Sequence, residues 1–309
     1  MHNHLKSTTM KTTTTTPKNV YQMVTDRIIA QMEQGIIPWR KPWHGLNNAN
    51  PAEVAISYET RRAYSLLNQF LLGEPGEYLT FNQIKAHGGM IRKGERSRMV
   101  VFYTQIVKED PSRLDEEGNP KVVRIPVLKY YNVWNINQVD GIESKAGAVV
   151  EPKQPINPEE AAEAIVDGYM TSSNHPKLIV KNSDKAYYCP AGDYVVVPEM
   201  QQYDDVAEYY STLFHELTHS TGHSTRCNRK GITALAAFGG ENYSKEELVA
   251  EIGAAMLVSQ AAIPAERAFK NSVAYLQSWL RALKNDNKMI VWAAGQAEKA
   301  AKFILGITE

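Results

Sequence analysis

Cysteine is almost missing from this chain, with two residues, Cys189 and Cys227, among 309. So few exclude the disulfide framework on which small secreted domains depend, and a reducing cytoplasm is the expected setting. Long apolar runs are missing too. No stretch approaches the roughly 18 uninterrupted apolar residues of a membrane span, and no membrane partner is expected. The polar start, Met1 to Thr16, lacks the apolar core of a secretory leader, and its threonine run reads as a disordered tail over residues 1–17. Net charge is absent as well, since 34 Lys and Arg balance 34 Asp and Glu. What remains, 43% hydrophobic and 22% charged, is the composition of a globular protein. At about 100–200 residues per domain the length predicts two domains, each able to bury a core.

The neutral total hides an asymmetry. Met1 to Lys145 holds 19 basic and 14 acidic residues, and Ala146 to Glu309 holds 15 and 20. A basic first half raises the expectation of a polyanion-binding module. Between the halves, Ile142 to Glu160 carries Pro152, Pro155 and Pro158 and no sustained apolar period. The predicted organisation is a first domain over 18–145, a linker over 146–157 and a second domain over 158–309. In the first, Val20, Met23, Val24, Ile28 and Met32 have helical spacing, and Pro38 stops that helix. Met99–Thr104 and Pro126–Trp134 read as two strands flanking a charged connector, Lys108 to Lys121, a hairpin with a long loop. The fold class is therefore α+β in two domains, without an internal repeat.

The second half carries the most specific motif, His215-Glu216-Leu217-Thr218-His219, an H-E-x-x-H. Val206, Tyr210, Leu213, Phe214 and Leu217 fall on one stripe of a helical wheel, so a helix runs through the motif with its apolar side buried. His215 and His219 project from the opposite side, about 6 Å apart along the axis, close enough to reach one metal ion. Glu216 sits beside them, placed to take a proton from water. A catalytic zinc site usually takes three protein ligands, so a third must follow. Glu246 to Glu251 opens a second helix, with Ser244 as N-cap and Glu247 three residues on. Glu247 is the expected ligand; Glu251, one turn later, is expected to hydrogen-bond a ligand imidazole and fix its tautomer. His223 is the rival ligand. A straight helix would put His215 and His223 about 12 Å apart, but Gly222 ends the helix and lets His223 turn back. His223 or Tyr243 could otherwise stabilise the oxyanion of a tetrahedral intermediate. Tyr187 to Pro198 reads as a strand pair turning at Ala191-Gly192-Asp193, either a core hairpin or an edge that holds an extended peptide.

Nucleic-acid chemistry is the softer signal. Lys85, Arg92, Lys93, Arg96 and Arg98 face Glu95 alone across 85–98, and Gly88, Gly89 and Gly94 allow close approach to phosphates. Single strands are held by such charges together with exposed aromatics. Trp39, Trp43, Tyr78, Phe81, Tyr103 and Tyr131 are the stacking candidates, with core packing as the competing fate of each.

These residues resemble a family. Glu208 to His223, Ala186-Tyr187-Tyr188, Asp193, Pro198, Glu246 to Ala255 and the closing run from Tyr275 to Phe303 are similar to the zincin-like metallopeptidase domain of ArdC-type antirestriction proteins, also related to the N-terminal region of TraC-type primases. Thr25 to Ile29, Gly35 to Trp43, Tyr78 to Gln83, Gly88 to Glu95 and Tyr130 to Asn135 resemble that family's N-terminal domain. The first half departs in lacking a glycine within Arg62 to Asn68, and Cys227 stands where a leucine is usual. The resemblance implies single-stranded DNA binding by the first half, with Arg40 and Lys41 joining Trp39 and Trp43 among the candidates. It also implies Zn2+ or another divalent transition metal in the second half. The expected function is that of a mobile-element protein that protects incoming DNA from host restriction and hydrolyses a protein or peptide. Two alternatives stand beside it. One is a DNA-coating protein with a structural or vestigial metal; the other is a cytosolic metalloprotease whose first domain recognises proteins.

Overall fold

The computed structural model describes residues 19–40, 50–114, 118, 120–145, 157–233, 241–269 and 273–307. It opens with α1 (Val20–Glu33), capped by Asn19, whose side chain accepts from the Tyr21 amide at 3.1 Å. A 3-10 turn (Pro38–Arg40) follows. Next come β1 (Ala55–Ser57), α2 (Leu66–Leu72), β2 (Gly76–Thr80) and α3 (Phe81–Ala86). The first half is completed by β3 (Met90–Ile91), β4 (Arg98–Leu114), β5 (Pro120–Asn135) and β6 (Val139–Asp140). Strands β1, β2, β5 and β4 form a sheet in that order, with β1–β2 parallel and the other pairings antiparallel.

One expectation changes here. The connector read as a long loop is mostly strand, because β4 continues to Leu114 and β5 starts at Pro120. The polar–apolar alternation that marks a half-buried strand is weak where both faces of a ribbon meet water, so charged residues there read as loop.

The second half starts with α4 (Pro158–Met170), capped by Asn157. A three-stranded sheet follows in the order β7-β9-β8, formed by β7 (Lys177–Val180), β8 (Tyr187–Cys189) and β9 (Tyr194–Val197). Then come α5 (Val206–Ser220), α6 (Lys230–Thr233) and α7 (Glu241–Gln260). The chain closes with α8 (Ala265–Ala268), α9 (Val273–Asn285) and α10 (Met289–Ile304). Helix α7 starts at Glu241, three residues before Ser244, which lies inside the helix instead of capping it. No helix among the described residues is long and apolar enough to cross a membrane.

The halves meet through one hydrophobic core. Val24, Ile28 and Met32 of α1, Trp39 and Phe70 belong to the same buried cluster as Phe214, Ile252, Ile290 and Ala297. Polar ties cross the same seam: Thr25 donates to the Asn287 carbonyl at 2.8 Å, and the Leu66 amide donates to Glu298 at 2.9 Å. Of the expected linker, only Asn157 lies within the described residues.

Candidate metal centre

Helix α5 presents its motif because its other side is an apolar stripe. Tyr210, Leu213, Phe214 and Leu217 are buried in the core, and Asp205 caps the helix by accepting from the Ala207 amide at 2.9 Å. Helix α7 packs closely across α5 at Gly253, where a Cβ would come within 2.5 Å of Thr218 Cγ2. That close approach brings Glu247 over the histidines.

The three groups converge. His215 Nε2 and His219 Nε2 are 3.1 Å apart, and the two Glu247 oxygens lie 3.5 Å from one and the other. Donors about 2.0–2.1 Å from a shared tetrahedral ion would stand about 3.3 Å apart, so the triangle fits a divalent metal. Among the described residues this trio is the cluster of metal-ligating side chains that meets in one place. The electrostatics agree. Burial alone would lower the His219 pKa, but hydrogen bonds to Glu246 and Glu247 and the charge of Glu216 outweigh it and raise it to about 10. Burial pushes the Glu247 carboxyl up, yet contacts with His215 and His219 hold it well below the usual carboxylate range. Carboxylates thus crowd two imidazoles, an environment that favours a cation.

The partner of His219 differs from expectation. Glu246, not Glu251, approaches His219 Nδ1, at 3.3 Å. Nδ1 and Nε2 point away from each other, so a carboxylate on the Glu247 face of α7 cannot serve both; the neighbouring residue, turned by about 100°, reaches the far side of the ring. A proton kept on Nδ1 leaves the Nε2 lone pair facing the site. Glu251 instead accepts from the Tyr275 hydroxyl at 2.8 Å. Glu246 is itself clamped by buried Arg229, whose Nη2 lies 2.6 Å from Oε1 and whose Nε lies 3.0 Å from Oε2. The same guanidinium donates to Thr221 Oγ1 at 2.6 Å and to the Thr218 carbonyl at 2.8 Å, satisfying the end of α5. A pair of adjacent glutamates was visible in the sequence, but nothing local marked Arg229 as the partner.

The remaining candidates separate. Glu216 is buried on α5 beside the triangle. His223 lies past the helix end, with Nδ1 2.9 Å from Thr225 Oγ1, and does not join the trio. The Tyr243 backbone lies in α7, and its side chain is outside the described residues. The Tyr203 phenol is raised by burial, an effect opposed by its hydrogen bond to Thr212 and reinforced by the charge of Glu216.

In the first half, Trp39 is 1% exposed and sits in the core, so it is not a stacking surface. Apolar contact with the second half explains its burial, as the turn carrying it packs on α7. The Arg40 guanidinium lies 4.7 Å from the Phe269 ring centre and 4.3 Å from that of Tyr275, a structural cation–π position. Lys41 and Trp43 fall outside the described residues. Tyr78 is buried. Arg98 pairs with Glu74 at 2.8 Å and donates to the Leu72 carbonyl, which occupies it within the fold. Lys85, Arg92, Lys93 and Arg96 are exposed, with Arg92 3.7 Å from Asp140.

Two histidines one turn apart on a helix, with a glutamate from the next helix, have the ligand arrangement of a zincin-like domain. Residues 165–296 match the zincin-like metallopeptidase family, and residues 18–134 match the N-terminal domain of anti-restriction factor ArdC. The chain belongs to the ArdC family of antirestriction proteins. It is similar to ArdC of the R388 plasmid: 35% identity to the metal-free structure, with TM-score 0.65 over 93% of this chain and 97% of that one. For the Mn(II)-bound structure the values are 34%, 0.66, 94% and 98%. It is 31% identical to the uncharacterized protein y4eC of Sinorhizobium fredii, over 94% of this chain and 92% of that protein. It is also 30% identical to an Escherichia coli DNA primase TraC over 94% of this chain, but spans 20% of that primase's length.

Proposed function

We propose that the protein is a mobile-element antirestriction factor of the cytoplasm that binds single-stranded DNA through its first half and hydrolyses peptide bonds at a zinc-loaded centre. The observation that carries the hydrolytic part is the triangle of His215, His219 and Glu247 with Glu216 beside it. When bound, a divalent ion supplies Lewis acidity to a substrate carbonyl and to water. Glu216 is the chain's group for taking a proton from water and returning it to the leaving amine. Glu246 and Arg229 hold His219 in the orientation and tautomer that ligation needs. Strand β8 lies at the edge of its sheet and packs against α5, which supports addition of an extended peptide strand beside the site.

Glu216→Gln tests the reading. The variant should keep its metal, measured by elemental analysis, and lose cleavage of a fluorogenic peptide library. Cleavage as fast as the parent's would overturn the mechanism. Unchanged protection of transferred DNA in cells carrying Glu216→Gln would instead favour protection by DNA coating alone.

A further inference from the structure

The β4–β5 ribbon has two unlike faces. Met99, Val101 and Leu128 are buried in the main core on the side of α1 and α2. Their neighbours along each strand point the other way, and the register places Phe102 opposite Lys129 and Ile106 opposite Ile125 on that second face, with Tyr131 one rung nearer the base. At the base this face is closed, as Val100 and Val133 pack with Leu72 and Tyr78. Among the described residues the face opens at Tyr131, which stands opposite Val100 yet is 53% exposed, and stays open farther out, where Ile106 and Ile125 are also exposed.

Phe102 and Tyr131 stack on this face with centroids 4.6 Å apart and planes 1° from parallel. This parallel arrangement is the one bases adopt in a strand, and the half-exposed Tyr131 offers its ring to a further planar group. The charge is one-sided. Along the stacked rings, from Met99 to Lys108 and from Arg124 to Asn132, the charged residues are Lys108, Arg124 and Lys129, with Arg124 opposite Val107 on the other face and the acids Glu109 and Asp110 following only beyond Lys108. Lys129 and Lys108 are exposed and share the face with the stacked rings, about 20 Å apart at about 3.3 Å per residue, which leaves room for several nucleotides. A second copy laid on this face would set its lysines against their own kind; a polyanion with flat apolar groups complements it.

We propose that this face holds single-stranded DNA, with one base extending the Phe102–Tyr131 stack and Lys129 and Lys108 meeting phosphates. The inference rests on the reading of the first half as the DNA-binding module, and places the strand on the outer face of the ribbon, away from Trp39 and Arg40.

The test is fluorescence anisotropy of a labelled oligothymidylate with the full-length protein over a salt series. Tyr131→Ala should weaken binding about fivefold to a hundredfold, whereas Tyr131→Phe, which keeps the ring, should stay within about twofold. Lys129→Ala should weaken binding and reduce the salt slope by about 0.7. Unchanged thermal melting in all three establishes that folding is intact. If the parent binds and Tyr131→Ala binds equally well, the ribbon face is not the site, while the DNA-binding reading stands. If the parent does not bind, that reading itself falls and this inference with it. If the ribbon variants instead dissociate a dimer in sedimentation and leave DNA affinity alone, the face joins two copies and the proposal is overturned.

Discussion

The metal centre and the β4–β5 ribbon handle charge in opposite ways. At the centre, ionised groups are buried and interlocked: Arg229 and Glu246 keep 1% and 3% of their side-chain surface exposed and contact each other, His219 and the end of α5. On the ribbon, Lys108, Arg124 and Lys129 are spread along an exposed surface. A buried charge is tolerable only when paired and hydrogen-bonded, so the centre is rigid and intolerant of single changes. A surface proposed to meet a flexible polyanion keeps its charges solvated and dispersed, so single changes there should act on binding and hardly on folding.

Substitutions can break or sharpen that contrast. The largest effect is expected from His219→Ala or Glu247→Gln: metal affinity, by calorimetry, should fall by more than the roughly 10- to 100-fold that losing an outer hydrogen-bond partner costs. Near-parental affinity would mean that the triangle is not the ligand set. Arg229→Met leaves Glu246 buried without its cation and should destabilise the protein by about 3–5 kcal/mol in chemical denaturation. A loss under 1 kcal/mol would show that the clamp is not coupled to folding. Trp39→Ala should cost about 3 kcal/mol or more, since it empties a site in the shared core, and a neutral result would contradict that burial. Glu246→Gln, which keeps shape and hydrogen bonding, should lower metal affinity within about 10- to 100-fold. Smallest of all, Tyr131→Ala should change folding stability by no more than about 0.5 kcal/mol, and a larger loss would mean that the ring serves the core.

The legibility of the two regions differed for a physical reason. H-E-x-x-H places its residues by helical periodicity, so spacing alone put His215 and His219 on one side of α5 with Glu216 beside them, and the structure brings Glu247, the proposed third ligand, next to the two histidines. The partner of His219 was misread because Glu246 and Glu251 lie on different faces of α7, and which face meets the back of the ring depends on how α5 and α7 cross at Gly253. Arg229 was invisible, since its role comes from the chain turning back after α5 to reach Thr218, Thr221 and Glu246. In the first half, Trp39 and Tyr131 look equivalent as letters. One is in the core and the other is open, and only packing distinguishes them.

By itself the sequence determined the helix α1, the inner parts of the two ribbon strands, the stripe that orients α5 and the chemistry its other face offers, because these follow from spacing along a regular backbone. Tertiary structure alone decided that the two halves share a core, which carboxylate steadies His219, and which aromatics face water. Each of those depends on contacts between segments far apart in the chain, and local periodicity carries no information about where they meet.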